Sequence, residues 1–294
     1  MLTISNHPYF SQLNSWFHFL YKMKINRLRE LLVRTISGLL YVALIVFSAC
    51  WSQLSFLIVL FVFSTLALVE FQKLINHKSP VSFLLFGLLT YQFYTQNVHP
   101  TLHHGLLILS LLTCLYLAYC LFKNINYPSA PFQRSGLTFF YLIGSAYFIL
   151  ATTTLSSTDK SLITLIMFVL IWTNNSFAYT FGKRWGKTLL FPSISPKKTW
   201  EGFWGGGLSC LAISILLMLF DTGLEKWIFP LLAIVIVLTA TIGDLIQSKF
   251  KREAQVKDSG SLIPGHGGFF DRMDSVLYTA PFIYLVFKIS EYVS

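Results

Sequence analysis

The chain has 294 residues, 54% of them hydrophobic and only 12% charged, and carries a formal net charge of +10. Soluble globular domains hold about 25% charged residues, so the composition excludes that class and points to an all-α, polytopic transmembrane helical bundle. In a soluble chain the basic excess would suggest nucleic acid. In loops beside the cytoplasmic leaflet it meets membrane lipid head groups or nucleotide phosphates, and nucleic acid is not an expected partner.

Residues 1–35 read as an N-terminal cytoplasmic or interfacial segment. The first 22 lack the basic region and apolar core of a signal peptide. Either they precede a translation start at Met23, or Phe10, Trp16, Phe17, Phe19 and Tyr21 lie on the membrane surface. Apolar runs of about 17 to 25 residues read as membrane spans, and about nine follow, centred on 36–52, 54–72, 81–96, 104–122, 136–155, 161–180, 203–220, 227–246 and 276–290. With the N-terminus inside, all 22 lysines and arginines except Lys160, Lys226 and Lys288 fall in cytoplasmic segments, as the positive-inside rule requires. A bacterial inner membrane, with cytoplasmic active-site loops, is the expected location.

No Gly/Ser linker or tandem repeat divides the chain, but its character changes midway. Residues 36–155 form N-terminal spans with little ionisable beyond Glu70, which reads as an interfacial helix-face partner of Lys73. Residues 156–294 form a C-terminal transmembrane region that carries the chemistry. Cys50, Cys114, Cys120 and Cys210 lie in apolar runs without a metal or redox spacing and read as packing residues.

Three polar constellations occupy that second half. In WTNNSFAYTFGKRWGK (172–187), Asn174, Asn175, Ser176 and Tyr179 place donors and acceptors within two helical turns, and groups this polar must face a bundle interior or cavity. In SISPKKTWEGFWGGG (193–207), Ser195, Lys197, Lys198 and Thr199 suit a polyphosphate, because ammonium groups neutralise it while hydroxyls fix oxygen positions. Positive-inside flanking accounts for the lysines alone, and the glycines for close helix packing.

The third, GDLIQSKFKREAQVKDSGSLIPGHGGFFDRMDS (243–275), is the largest. Asp244 and Ser248 share a helix face. Lys251, Arg252, Lys257 and Asp258 lead into Pro264, Gly265, His266, Gly267 and Gly268, followed by Asp271, Arg272 and Asp274. These residues suit magnesium-assisted nucleotidyl or phosphoryl transfer. Carboxylates plus substrate phosphates satisfy a hard cation, cations balance the phosphates, and a glycine turn lets backbone amides approach oxygens. His266 either donates to a phosphate or leaving group or braces the turn.

Ser248, Lys251, Arg252, Lys257, Asp258, Gly260, Pro264, His266, Gly267, Gly268, Asp271, Arg272 and Asp274 together resemble the C-terminal signature of the phosphatidate cytidylyltransferase (CDP-diacylglycerol synthase) family, and the likeness extends back through SPKKTWEG and FAYTFGKRWGK. The resemblance implies transfer of a cytidylyl group from CTP to phosphatidic acid, giving CDP-diacylglycerol and pyrophosphate. It also implies magnesium held by Asp244 and Asp271, with a second cation open, and a homodimer. Lys197, Lys198, Lys251, Arg252, Lys257 and Arg272 would neutralise phosphates, with Asp258 and Asp274 positioning those cations or binding a second ion. Family members commonly carry Asp where this chain has Asn175 and Glu where it has Gln247, each exchange removing a negative charge. The rival readings are CTP-dependent transfer to another lipid phosphate or a polyprenol, and a non-catalytic lipid-binding scaffold.

Overall fold

The protein is described by a computed structural model covering residues 32–33, 35–155, 161–220, 222–265 and 267–293, with side chains described up to residue 290. The segment 1–22 and His266 therefore lie outside the described residues. Among those described, nine helices and one short hairpin account for the regular structure: α1 (Thr35–Trp51), α2 (Gln53–Leu74), α3 (Pro80–Tyr94), α4 (Pro100–Phe122), α5 (Pro131–Thr154), α6 (Leu162–Trp185), β1 (Leu189–Phe191), β2 (Ser195–Thr199), α7 (Trp200–Leu217), α8 (Ile228–Glu253) and α9 (Phe270–Val293).

Each expected apolar stretch overlaps one helix, although several run a few residues past its ends. Six of the nine, α2 and α4 through α8, are long and apolar enough to cross a membrane, which makes this an integral membrane protein. The others fall short for visible reasons. α1 and α3 are shorter, and α9 opens with Asp271, Arg272 and Asp274 before its apolar stretch.

Local chemistry sets the boundaries. Ser52 caps α2 and exchanges hydrogen bonds with Ser55, while Pro80, Pro100 and Pro131 open α3, α4 and α5, where a missing N–H costs nothing. Asn76, Gln96, Asn124 and Gln255 adopt left-handed backbone just beyond the ends of α2, α3, α4 and α8, the usual way to satisfy final carbonyls. α5 widens into π-helical turns over Leu137–Ile143 and is buried along most of its length. It packs on α9, while α6, α7, α8 and α9 pack in succession. Phe71 of α2 joins the two halves, its ring 5.2 to 5.8 Å from those of Tyr141, Phe250 and Phe270.

The hairpin corrects the purely helical expectation. β1 and β2 pair antiparallel, Leu189 opposite Thr199 and Phe191 opposite Ser195. A strand of three residues is too short to show an alternating pattern. The cysteines are free; Cys114, Cys120 and Cys210 are buried, whereas Cys50 is exposed.

Candidate active site

Much of the polar sequence expected in loops belongs to helices that run past their apolar stretches: α6 to Trp185, α8 to Glu253, and α9 from Phe270. Their ends approach closely because small residues permit it. A Cβ on Gly202 would lie 2.7 Å from Ala178 O, so glycine is what lets α7 settle against α6. The hairpin is fastened over this junction. Glu201 accepts from the N–H groups of Lys187 and Thr188, each at 3.1 Å. Arg252 Nε donates to Ile194 O at 3.3 Å. Thr199, expected at substrate, also caps α7 by accepting from Gly202 N at 3.2 Å.

Between these ends and the 257–270 loop lies a cavity of 790 Å³. Its walls bring together Asn175, Lys197, Lys198, Thr199, Asp244, Lys251, Asp258, Asp271, Arg272 and Asp274 from four separated stretches of sequence. Lys257, Ser195, Ser248, Arg252, Gly267 and Gly268 are placed nearby but not on its wall. Ser248 donates to Asp244 Oδ1 at 3.4 Å, and Lys257 is exposed. Sequence reasoning had given no role at the site to Lys183, Phe203 or Thr241, which also line it. Lys183 could have been found from its i+4 spacing to Tyr179, over whose ring it lies, 5.8 Å from the centroid.

Asp271 organises the loop. Oδ1 accepts from Gln247 Nε2 (2.8 Å) and Lys251 Nζ (2.7 Å), while Ser259 N, Ser259 Oγ and Gly268 N lie 2.8, 2.9 and 3.0 Å from Oδ2. Burial alone would raise the proton affinity of this carboxyl, but the Lys251 ammonium and the backbone N–H groups outweigh it and hold Asp271 below the ordinary carboxylate range. Gly267, at φ +83°, provides the left-handed turn behind it, closed by Ile263 N donating to Gly267 O at 2.9 Å.

Both departures from the family signature act as hydrogen-bond donors here. Gln247 is fully buried, and facing a carboxylate it must present its NH₂. Asn175 Nδ2 donates to Ser275 Oγ at 3.2 Å.

Asp244 and Asp274 share the cavity wall. Asp244 Oδ2 is 2.7 Å from Lys198 Nζ. Asp274 is 8% exposed, and its burial, then the charge of Asp244, push its carboxyl up to about 7 against the pull of Ser275 N–H, Lys251 and Lys198. A cation between two such carboxylates would relieve that repulsion, so the pair fits a hard divalent ion. Among the described residues no three His, Cys, Asp or Glu side chains cluster tightly enough to hold an ion unaided, which leaves substrate phosphates to complete the coordination.

Glu70 overturns its sequence reading. Instead of pairing with Lys73 it is 2% exposed and turned into the bundle, where Oε2 accepts from Phe270 N at 2.9 Å and lies 3.0 Å from Ser259 Oγ.

The cytidylyltransferase family profile matches residues 32–290. Among similar proteins, the phosphatidate cytidylyltransferases of Staphylococcus epidermidis and Staphylococcus aureus are each 42% identical over 120 residues, 40% of this chain and 46% of theirs. That of Staphylococcus saprophyticus is 41% identical over the same length. The chain thus spans less than half the length of these relatives in the matched region. The profile match, by contrast, runs from the first described helix into the last, across every wall of the cavity, and the chain belongs to the cytidylyltransferase family.

Proposed function

We propose that this protein is a phosphatidate cytidylyltransferase, making CDP-diacylglycerol and pyrophosphate from CTP and phosphatidic acid. The observation that carries the reading is the cavity, where carboxylates Asp244 and Asp274 meet Lys183, Lys197, Lys198, Lys251 and Arg272 at the ends of membrane helices. A soluble nucleotide and a lipid head group can meet only at such a boundary. The positive-inside distribution supports nine crossings with this end in the cytoplasm.

In the reaction a phosphate oxygen of phosphatidic acid attacks the α-phosphorus of CTP. The bond from that phosphorus to the α,β-bridging oxygen breaks, and pyrophosphate leaves with the electron pair. The attacking oxygen is already anionic, so no strong general base is needed. Lys198 would exchange Asp244 for a phosphate oxygen, and Lys183, Lys197 and Arg272 would surround the triphosphate. Asp271 keeps Lys251 aimed inward. Asp244 and Asp274 would hold magnesium, in place of the Asp244 and Asp271 pair that the family resemblance implies, because both oxygens of Asp271 are engaged by Gln247, Lys251, Ser259 and Gly268. Asp258 at the exposed rim is available to a second cation. When bound, the ion supplies charge neutralisation to the phosphate oxygens.

The test is transfer of labelled CTP to mixed phosphatidic acid by purified protein in detergent with magnesium, with Asp244→Asn as control. Labelled CDP-lipid from the wild type alone supports the proposal. Product only with another lipid phosphate or a polyprenol phosphate would change the acceptor. Lipid binding without product would leave a scaffold.

A further inference from the structure

We propose that Glu70, from the otherwise apolar N-terminal half, is a positioning residue that fixes the 257–270 loop from behind; this rests on the reaction proposed above. Its Oε2 accepts from Phe270 N, the first amide of α9, where a helix leaves its donors unpaired and favours negative charge. The same oxygen is 3.0 Å from Ser259 Oγ, which is 2.9 Å from Asp271 Oδ2. One serine hydroxyl thus stands between two carboxylates. Asp271 in turn holds Lys251, which lines the cavity. A displacement at Glu70 passes through Ser259 and Asp271 to a cation expected at phosphate.

The loop is shaped around this carboxylate. A Cβ on Gly260 would collide with Glu70 Oε1 and Cδ, and a Cβ on Gly268 with Glu70 Oε2. At Gly260 the three nearest atoms in the way all belong to Glu70. Oε1 has no hydrogen-bond partner among the described residues, so Glu70 is buried at a cost that packing alone would not select. α1 also holds the loop and the first turn of α9, through Ser37 Oγ donating to Pro264 O at 3.0 Å and Tyr41 OH to Arg272 O at 3.4 Å.

The experiment compares Glu70→Ala, Glu70→Gln, Lys73→Ala, Gly260→Ala and the Glu70→Ala/Gly260→Ala double variant, each measured for kcat, KM for CTP, and thermal midpoint. A misplacement of about 1 Å costs on the order of 100-fold in rate, so Glu70→Ala should lose about that factor in kcat when assayed well below its thermal midpoint, which the stranded Phe270 amide should lower. Gln retains an oxygen for Phe270 N and Ser259 Oγ and should restore most of the loss, and Lys73→Ala should change nothing. Gly260→Ala should be damaging in the wild type yet add little once Glu70 is Ala. Wild-type kcat and KM in Glu70→Ala, a Gln variant as impaired as Ala, or additive effects in the double variant would each overturn the proposal. Should Glu70→Ala not fold, the Gln and Gly260→Ala variants decide alone: the first active and the second impaired upholds it, and any other pattern sinks it. A wild type without product is a separate failure, that of the reaction itself.

Discussion

Lys198 Nζ lies 2.7 Å from Asp244 Oδ2, tying β2 to the C-terminal half of α8 in the wall of the cavity. The pair is partly exposed, so an incoming phosphate can compete for the lysine while a cation takes the carboxylate. Removing a charged hydrogen bond costs about 1.5 to 3 kcal/mol, roughly 10- to 100-fold. Lys198→Ala should therefore raise KM for CTP by that order, whereas Asp244→Asn should abolish turnover at any CTP concentration. Steady-state kinetics separates the two.

Asp271→Asn should be a folding lesion as well as a catalytic one. Lys251 and Asp271 are both largely buried, and breaking such a pair costs on the order of 3 kcal/mol because one charge is stranded. The proton affinity of Asp271 is depressed in the folded chain, so its contribution to stability is complete above the ordinary carboxylate range and is lost as pH falls through its lowered value. A thermal midpoint well below that of the wild type at neutral pH, with the gap closing in acid, is the expected result.

Much of this site was legible in sequence, and the parts that were not share a cause. Clustered charges in a chain so poor in them marked Asp244, Lys251, Asp258, Asp271 and Asp274, and the structure gathers all five around one cavity. The apolar helices were legible because burial and length leave a composition signal, though only six of the nine are long and apolar enough to cross a membrane. Glu70 was misread because i+3 spacing to Lys73 is visible locally, while its partners Ser259 and Phe270 lie 189 and 200 residues away. The hairpin was missed for want of length, and Lys183 because it also satisfies the positive-inside pattern.

Asp274 predicts a pH-dependent response to magnesium. A carboxyl raised to about 7 in the folded chain contributes stability that is full below its unfolded value and declines as pH rises through 7. Magnesium should offset that decline, shifting the thermal midpoint upward more at pH 8 than at pH 6. Asp274→Asn should flatten the dependence, and an equal magnesium response at both pH values would contradict the assignment.

Gln247→Glu should trade stability for metal affinity. It replaces a donor to Asp271 with a second carboxylate against the same lysine. The metal-free midpoint should fall, and the magnesium concentration giving half-maximal rate should fall with it. Midpoints in chelator and a magnesium titration of turnover check the two halves.

The grip of α1 and α2 on the loop bears on how such a protein can be rebuilt or diversified. Residues 162–290 contain every signature position, yet Ser37, Tyr41 and Glu70 belong to the other half and grasp the loop and the start of α9 by hydrogen bonds that only a matching partner can make. Grafting the signature half onto a foreign bundle would therefore deliver the ligands without the brace. Exchange between related chains should succeed only when both halves travel together.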